Sequence, residues 1–372
     1  MSSETTIAIY GPGLLGGSLA LAIQERLPGS SLRLWARRES AQEAILARGI
    51  QAEFYTDATA AATGASLIIL CTPVETMPAL AAQIAMADLS PDTLITDVGS
   101  VKGSVVRALD PILGPRFIGS HPMAGSEKAG IETARASLFQ NATCLITPGA
   151  RTPPSASSPE VTGARTPPSA SSPEVTGART PPSASPPEVT GARTPPSASP
   201  PEVTGARTPP SASSPEVTGA RTPPSASSPE ATGARTTPSA SPLTRLRTFW
   251  QTLGCNVLEM SPDEHDEKVA RISHLPHMMA AVTTLAALRT DPTAVSCVAN
   301  GFRDTTRVAG GDPGLWTGIA LENRTALLSQ LQAASATLTE LLEILGKPDE
   351  EELRRFLAEA QTLRRTVPAA VS

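Results

Sequence analysis

Four histidines are spread through 372 residues, and one of them, His121, lies in the stretch GSHPMAGSEKAG from Gly119 to Gly130. A lone imidazole with little bulk around it is a candidate proton acceptor, because its ordinary pKa lets it change charge near neutrality. DVGSVK adds Asp97, Ser100 and Lys102, and CTPVE adds Thr72. Ser100 is the side chain expected to orient the second ring nitrogen of His121. RISHLPHMMA holds His274 and His277 three residues apart, on one helix face, with Pro276 between them to bend the helix. NGFRDTTRVAGGDPGLW carries Arg303 and Arg307 in what reads as a loop, where guanidiniums suit a carboxylate-bearing ligand. His265, inside DEHDEK, reads as a solvated surface residue. Plainer roles compete with these. A strand-end histidine can bond a backbone carbonyl, and an arginine here can pair with Asp304 or Asp312. No carboxylate or further histidine has helical metal-ligand spacing around His274 and His277, so no metal site is expected.

IAIYGPGLLGGSLA places Gly11, Gly13 and Gly16 as G-x-G-x-x-G between a strand-like apolar run and a helix-like one. That context makes the match a dinucleotide turn, with the helix N-terminus facing the pyrophosphate. Gly11, Gly13, Leu14, Leu15 and Gly16, with Thr72 and Pro73 from a later strand end, are the expected cofactor contacts. The second strand, SLRLWARRES, ends in Ala36, Arg37 and Arg38 where NAD would call for an acid. Guanidiniums there bind a 2′-phosphate, so the reading favours NADP over NAD and assigns Arg37 and Arg38 to it. A histidine at the edge of the nicotinamide crevice can take the proton of a substrate hydroxyl as hydride leaves the same carbon.

The elements that must position these groups follow from apolar periodicity. Up to Pro148, strand-like runs (TIAIYG, SLRLWA, ASLIILCTP, TLITDVG, FIGSH, ATCLITP) alternate with helix-like ones. This pattern predicts a mostly parallel sheet covered on both faces, with ligands at the carboxyl ends of its strands. After residue 242 the pattern is helical: long amphipathic segments begin at Ser261 and near Asp312, and a third at Asp349. The fold class is therefore α/β, a Rossmann-type doubly wound sheet over 1–148 plus an all-helical domain over 243–372. Large apolar helix faces in so small a domain point to a homodimer.

Between the two lies a tandem repeat, GARTPPSASSPEVT, with a period of 14 from Gly149 to near Pro242. It holds 22 of the 37 prolines and no aromatic residue, too little apolar surface to offset chain entropy, so disorder is expected. At most one valine per copy rules out a stacked solenoid, and a tolerated loop expansion is the simplest account. A formal net charge of −5 argues against nucleic-acid or anionic-membrane partners. No apolar run reaches the length of a membrane span, no signal peptide is apparent, and four scattered cysteines read as reduced thiols of a cytoplasmic protein.

Taken together, GPGLLGGS, CTPVE, DVGSVKG, GSHPMAGSEKAG, MSPDEHD, SHLPH and GFRDTTRVA resemble the prephenate/arogenate dehydrogenases of tyrosine biosynthesis. The resemblance covers nearly all of the chain outside the repeat. It implies a Rossmann domain, a helical dimerisation domain, and oxidative decarboxylation of prephenate or arogenate with NAD or NADP. It also implies roles: His121 as the catalytic histidine with Ser100 supporting it, Glu127 as an acid near the pocket, His277 in the substrate pocket, and Arg307 on a substrate carboxylate. Two other readings were weighed. A two-domain dehydrogenase of the 3-hydroxy-acid type would place a lysine in the helical half, and RISHLPHMMA has none. A non-catalytic adaptor working through the repeat would not need His121, Arg307 and the glycines together.

Overall fold

A computed structural model describes residues 5–125, 130–149, 240–347 and 349–368. Glu127 and the repeat, with the disorder expected of it, lie outside the described residues.

The first half alternates: β1 (Thr6–Tyr10), α1 (Leu14–Arg26), β2 (Ser31–Trp35), α2 (Ala41–Ala47), β3 (Glu53–Tyr55), α3 (Ala58–Ala62), β4 (Leu67–Leu70), α4 (Met77–Ile84), β5 (Leu94–Asp97) and α5 (Gly103–Leu113), of which β3, α3 and α5 add to the runs expected from the sequence. All five strands run parallel in the order β3-β2-β1-β4-β5. The unbroken apolar runs IAIY and LIIL are the sign of strands covered on both faces, and Ile7, Ile9, Ile68 and Ile69 are fully buried.

The sheet then splits, which the sequence pattern did not reveal. Phe117 still bridges Ile95 in parallel, but β6 (Gly119–Pro122) turns away and pairs antiparallel with β7 (Thr143–Thr147). The third strand of this smaller sheet comes from beyond the repeat. There Ser241 caps α6 (Pro242–Thr252) by accepting from the Thr244 amide at 3.2 Å, and β8 (Asn256–Glu259) pairs parallel with β7. Leu243, Leu246, Phe249 and Trp250 of α6 join Ile7, Leu19 and Ile146 in one core. The helical half therefore begins near residue 261, not at 243. β8 escaped the sequence reading because four residues of weak alternation make a strand only when a neighbour is waiting.

The helical half comprises α7 (Pro262–Val269), α8 (Leu275–Leu288), α9 (Asn300–Thr306), α10 (Pro313–Glu322), α11 (Arg324–Gly346) and α12 (Glu350–Arg365). Where a bend is expected, a π-helical turn at Ala270–His274 leads into α8, whose second residue is Pro276. The expected loop of Arg303 and Arg307 is instead α9 followed by a 3₁₀ turn at Arg307–Gly310. Leu338, Leu342 and Leu345 on α11 remain more than half exposed. Among the described residues no helix is long and apolar enough to cross a membrane.

Leu246→Ala tests whether α6 belongs to the first core. The fully buried leucine should cost about 3 kcal/mol, read as a lower urea midpoint with unchanged slope. A shift below about 0.5 kcal/mol, the size of an ordinary surface substitution, would place α6 outside it.

Candidate active site

His121 is carried by β6, opposite Leu145 of β7, and only 7 % of it is exposed. Its Nδ1 lies 2.9 Å from Nε2 of His265, and the two rings stand 5.1 Å apart at 58°. His265 is wholly buried on α7, and its Nδ1 lies 2.8 Å from Oδ1 of Asp266. The Asp266 carboxylate in turn accepts the main-chain N–H groups of Lys102 and Gly103, each at 2.8 Å, at the N-terminus of α5. An ionised carboxylate only accepts hydrogen bonds, which assigns the proton in the first link to His265 Nδ1. His265 Nε2 is then an acceptor, so His121 Nδ1 donates to it. The lone pair of His121 is left on Nε2, which has no partner among the described residues, and His121 lines the cleft.

Two expectations change here. His265 is a buried partner of the candidate base, not a solvated surface residue. Its flanks Asp263, Glu264 and Glu267 are exposed, and that charged setting hid the inward face. Ser100 does not hold Nδ1 of His121. That nitrogen belongs to His265, while Ser100 lines the cleft beside the ring.

Burial pushes the His121 imidazole well below the usual value of 6.5, and His265, Lys102 and His274 nearby add to the effect. Burial also lowers His265 in spite of its bond to Asp266. For Asp266 burial opposes ionisation, but the bonds from His265, Lys102 and Gly103 outweigh it and hold the carboxyl below its usual range. His274 is lowered to about 4, again mainly by burial. Asn323, at the start of α11, reaches both His274 Nδ1 (3.2 Å) and the Asp266 carbonyl (2.8 Å). His277 stacks on Trp316 with centroids 3.4 Å apart at 15°. All four histidines thus gather at one place.

A cleft of about 650 Å³ opens there. Gly13, Leu14 and Leu15 line it from the β1–α1 turn, Thr72 and Pro73 from the end of β4, and Ser100 from the turn after β5. The helical half contributes His277, Arg307 and Trp316 to the same cleft. Gly11 and Gly16 sit behind this wall and make the turn possible. Gly11 has φ +98°, and a Cβ on Gly16 would stand 2.1 Å from the Gly11 carbonyl oxygen. Arg37 and Arg38 are exposed past the end of β2, away from the cleft lining.

These residues fit a dinucleotide. The first turn of α1 carries no side-chain cap and no acidic residue, so its N–H groups stay available to a phosphate. The Thr72 hydroxyl is buried with no partner among the described residues.

Two family models match the chain. Residues 19–158 match the nucleotide-binding domain of prephenate dehydrogenase, and residues 261–359 match its dimerization domain. The chain belongs to the prephenate dehydrogenase family. A prephenate dehydrogenase of Bacillus subtilis is 26 % identical over 370 residues, 98 % of this chain and 76 % of that one. A cyclohexadienyl dehydrogenase of Zymomonas mobilis is 26 % identical, covering 96 % and 94 %. Among solved structures, prephenate dehydrogenase from A. aeolicus in complex with hydroxyphenyl propionate and NAD+ superposes with a TM-score of 0.70 at 23 % identity, covering 98 % of both chains. Synechocystis arogenate dehydrogenase gives 0.64 at 26 %, covering 97 % and 99 %.

The buried rings predict a stability profile. Each lowered histidine binds its proton more readily unfolded than folded, so folding stability is full above 6.5 and falls as pH drops toward 4. The thermal midpoint should therefore decline through that window, and His274→Gln should decline less. Identical profiles for parent and variant would show that the His274 ring is not held neutral.

Proposed function

We propose that this protein catalyses oxidative decarboxylation of prephenate or arogenate, with NAD(P)+ as hydride acceptor, as a step of tyrosine biosynthesis. The observation that carries the reading is the base itself: a buried imidazole, its Nδ1 held by His265, lining a cleft that also holds a dinucleotide turn and an arginine.

The roles follow from atoms. The bound dinucleotide supplies the hydride acceptor. His121 Nε2 takes the proton of the ring hydroxyl as hydride leaves the hydroxyl carbon, which makes a ring ketone. Loss of the ring carboxylate as carbon dioxide sends its bonding electrons through the ring to that oxygen and restores aromaticity. The phenolate so formed can retake the proton from His121. The base is then reset within the turnover, and the His265–Asp266 pair need not conduct a proton away. Its work is to hold one tautomer and one ring orientation. Gly11, Gly13, Leu14, Leu15 and Gly16 with Thr72 and Pro73 hold the dinucleotide. Ser100 borders the reacting hydroxyl, Arg307 binds a substrate carboxylate, and His277 shapes the pocket against Trp316. Glu127, outside the described residues, is proposed as an acid near the pocket on the family resemblance alone.

Finer points are part of the same proposal. Two guanidiniums and no acid directly after β2 support NADP over NAD. The exposed leucines of α11, in a segment matching a dimerization domain, support a homodimer through the helical half. A cytoplasmic location suits the free thiols of Cys71, Cys144, Cys255 and Cys297.

His121→Asn should lower kcat by about 1,000-fold, the contribution of a general base, with cofactor affinity nearly unchanged. It is read from absorbance of the reduced nicotinamide with prephenate and with arogenate. A variant within tenfold of the parent would remove His121 from the chemistry. Replacing Arg37 and Arg38 together by alanine should raise KM for NADP about 30-fold and KM for NAD less than threefold, a loss of charge-assisted bonds to the 2′-phosphate. Equal changes would make both arginines spectators.

A further inference from the structure

Lys102 takes no part in the chemistry above, yet its side chain is 0 % exposed and its ammonium bonds the equally buried carboxylate of Asp97. A buried ion pair adds little stability by itself, so its position needs another reason. Asp97 closes β5, where the sheet splits. The Ile118 amide still bonds the Ile95 carbonyl at 3.0 Å, but no ladder pairs follow between β5 and β6. Past that point the Asp97 side chain stands in for the ladder. Oδ1 accepts the Ser120 N–H at 3.2 Å and Oδ2 the Gly99 N–H at 2.8 Å. The Ser120 hydroxyl donates to the Asp97 carbonyl at 2.6 Å. Ser120 is the residue before His121. Gly119 leaves room here, since a Cβ on it would stand 2.5 Å from Thr147 Oγ1 and 3.3 Å from Lys102 Cδ.

The main chain of Lys102 works in the opposite direction, since its N–H donates to Asp266. Hydrogen bonds therefore run in a closed ring: from Ser120 to Asp97, to Lys102, to Asp266, to His265 and back to His121, beside Ser120.

We propose that Lys102 is a positioning residue for His121. Its ammonium pairs with the Asp97 carboxylate that grips the strand of the base, while its main chain grips the partner of the base on α7. The inference rests on the dehydrogenase reading of the site. The charged and titratable groups acting on His121 are Lys102 from the sheet half, and His265 and His274 from the helical half; Asp97 bonds Lys102 and Asp266 bonds His265. Cys144 lies on the neighbouring strand. Losing the ammonium removes a positive charge that opposes protonation of His121, which favours the imidazolium form.

The test is Lys102→Met with Asp97→Asn beside it. In Lys102→Met we expect kcat to fall about 30-fold, KM and dinucleotide Kd to stay within about threefold, and the acid limb of kcat/KM to rise by about one pH unit. A folded Lys102→Met protein with kcat within twofold and an unmoved acid limb overturns the proposal. If that variant does not fold, the isosteric Asp97→Asn decides. A kcat loss of about tenfold at unchanged dinucleotide Kd supports the role, and parental kcat overturns it. The His121 ring resonances, titrated by NMR in parent and variant, report the same shift without substrate. An inactive parent would therefore strike the dehydrogenase reading, while the NMR titration would still judge Lys102.

Discussion

One hydrogen-bond chain, Asp266 to His265 to His121, ties the two halves of this molecule into a single site. Its first two members stand on α7 and its last on β6, so the base acquires its tautomer only when the helical half is seated against the sheet. Asp266 secures that seating as well, because its two oxygens take up the Lys102 and Gly103 amides at the start of α5. Those amides would otherwise be unpaired donors at a helix N-terminus, and an anion is the favoured partner there. The carboxylate that orients the base is thus the one that docks the domains.

Burial gives the chain its chemical value. A solvated histidine spends much of its time protonated near pH 6.5, whereas His121 is lowered well beneath that by exclusion of water. A ring so held is neutral at physiological pH and has one lone pair, aimed at the cleft. The same exclusion of water strengthens every bond in the chain, and it would make any unpaired member costly. The cluster is satisfied at Asp266, His265 and His121. Among the described residues, the buried side-chain atoms without a partner include His277 Nδ1 and Thr72 Oγ1 of this region, besides Arg26 Nε, Ser104 Oγ and Thr147 Oγ1.

The split of the sheet creates the space. Where β6 leaves the parallel ladder, the carboxyl ends of β1, β4 and β5 face an open crevice, the usual ligand position in a doubly wound fold. The smaller sheet closes one side and is completed by β8, which follows the repeat in sequence. Both flanks of the repeat are anchored, β7 by its ladders and α6 by Phe249 and Trp250 in the common core. A long insertion between two fixed points costs only a slowly growing closure entropy, so the site motifs on either side keep their places.

Local pattern alone determined much of this protein. The buried strands, the dinucleotide turn at Gly11 to Gly16, the helical second half and the candidacy of His121 all follow from residue type and spacing, because periodicity and turn chemistry act over a few residues. Arg307, His277, Thr72 and Ser100 were legible as site candidates for the same reason, since each ends or borders an element whose direction is set locally. What tertiary structure decided is which groups meet. His265 and Asp266 lie 144 and 145 positions beyond His121, amid charged neighbours that read as a solvated face. Likewise β8 is a strand, and α6 a core helix, only because β7 and the first core stand beside them. Contact between distant segments depends on how whole faces pack, and a hydrogen bond at 2.9 Å between two buried rings leaves no mark on the spacing of either.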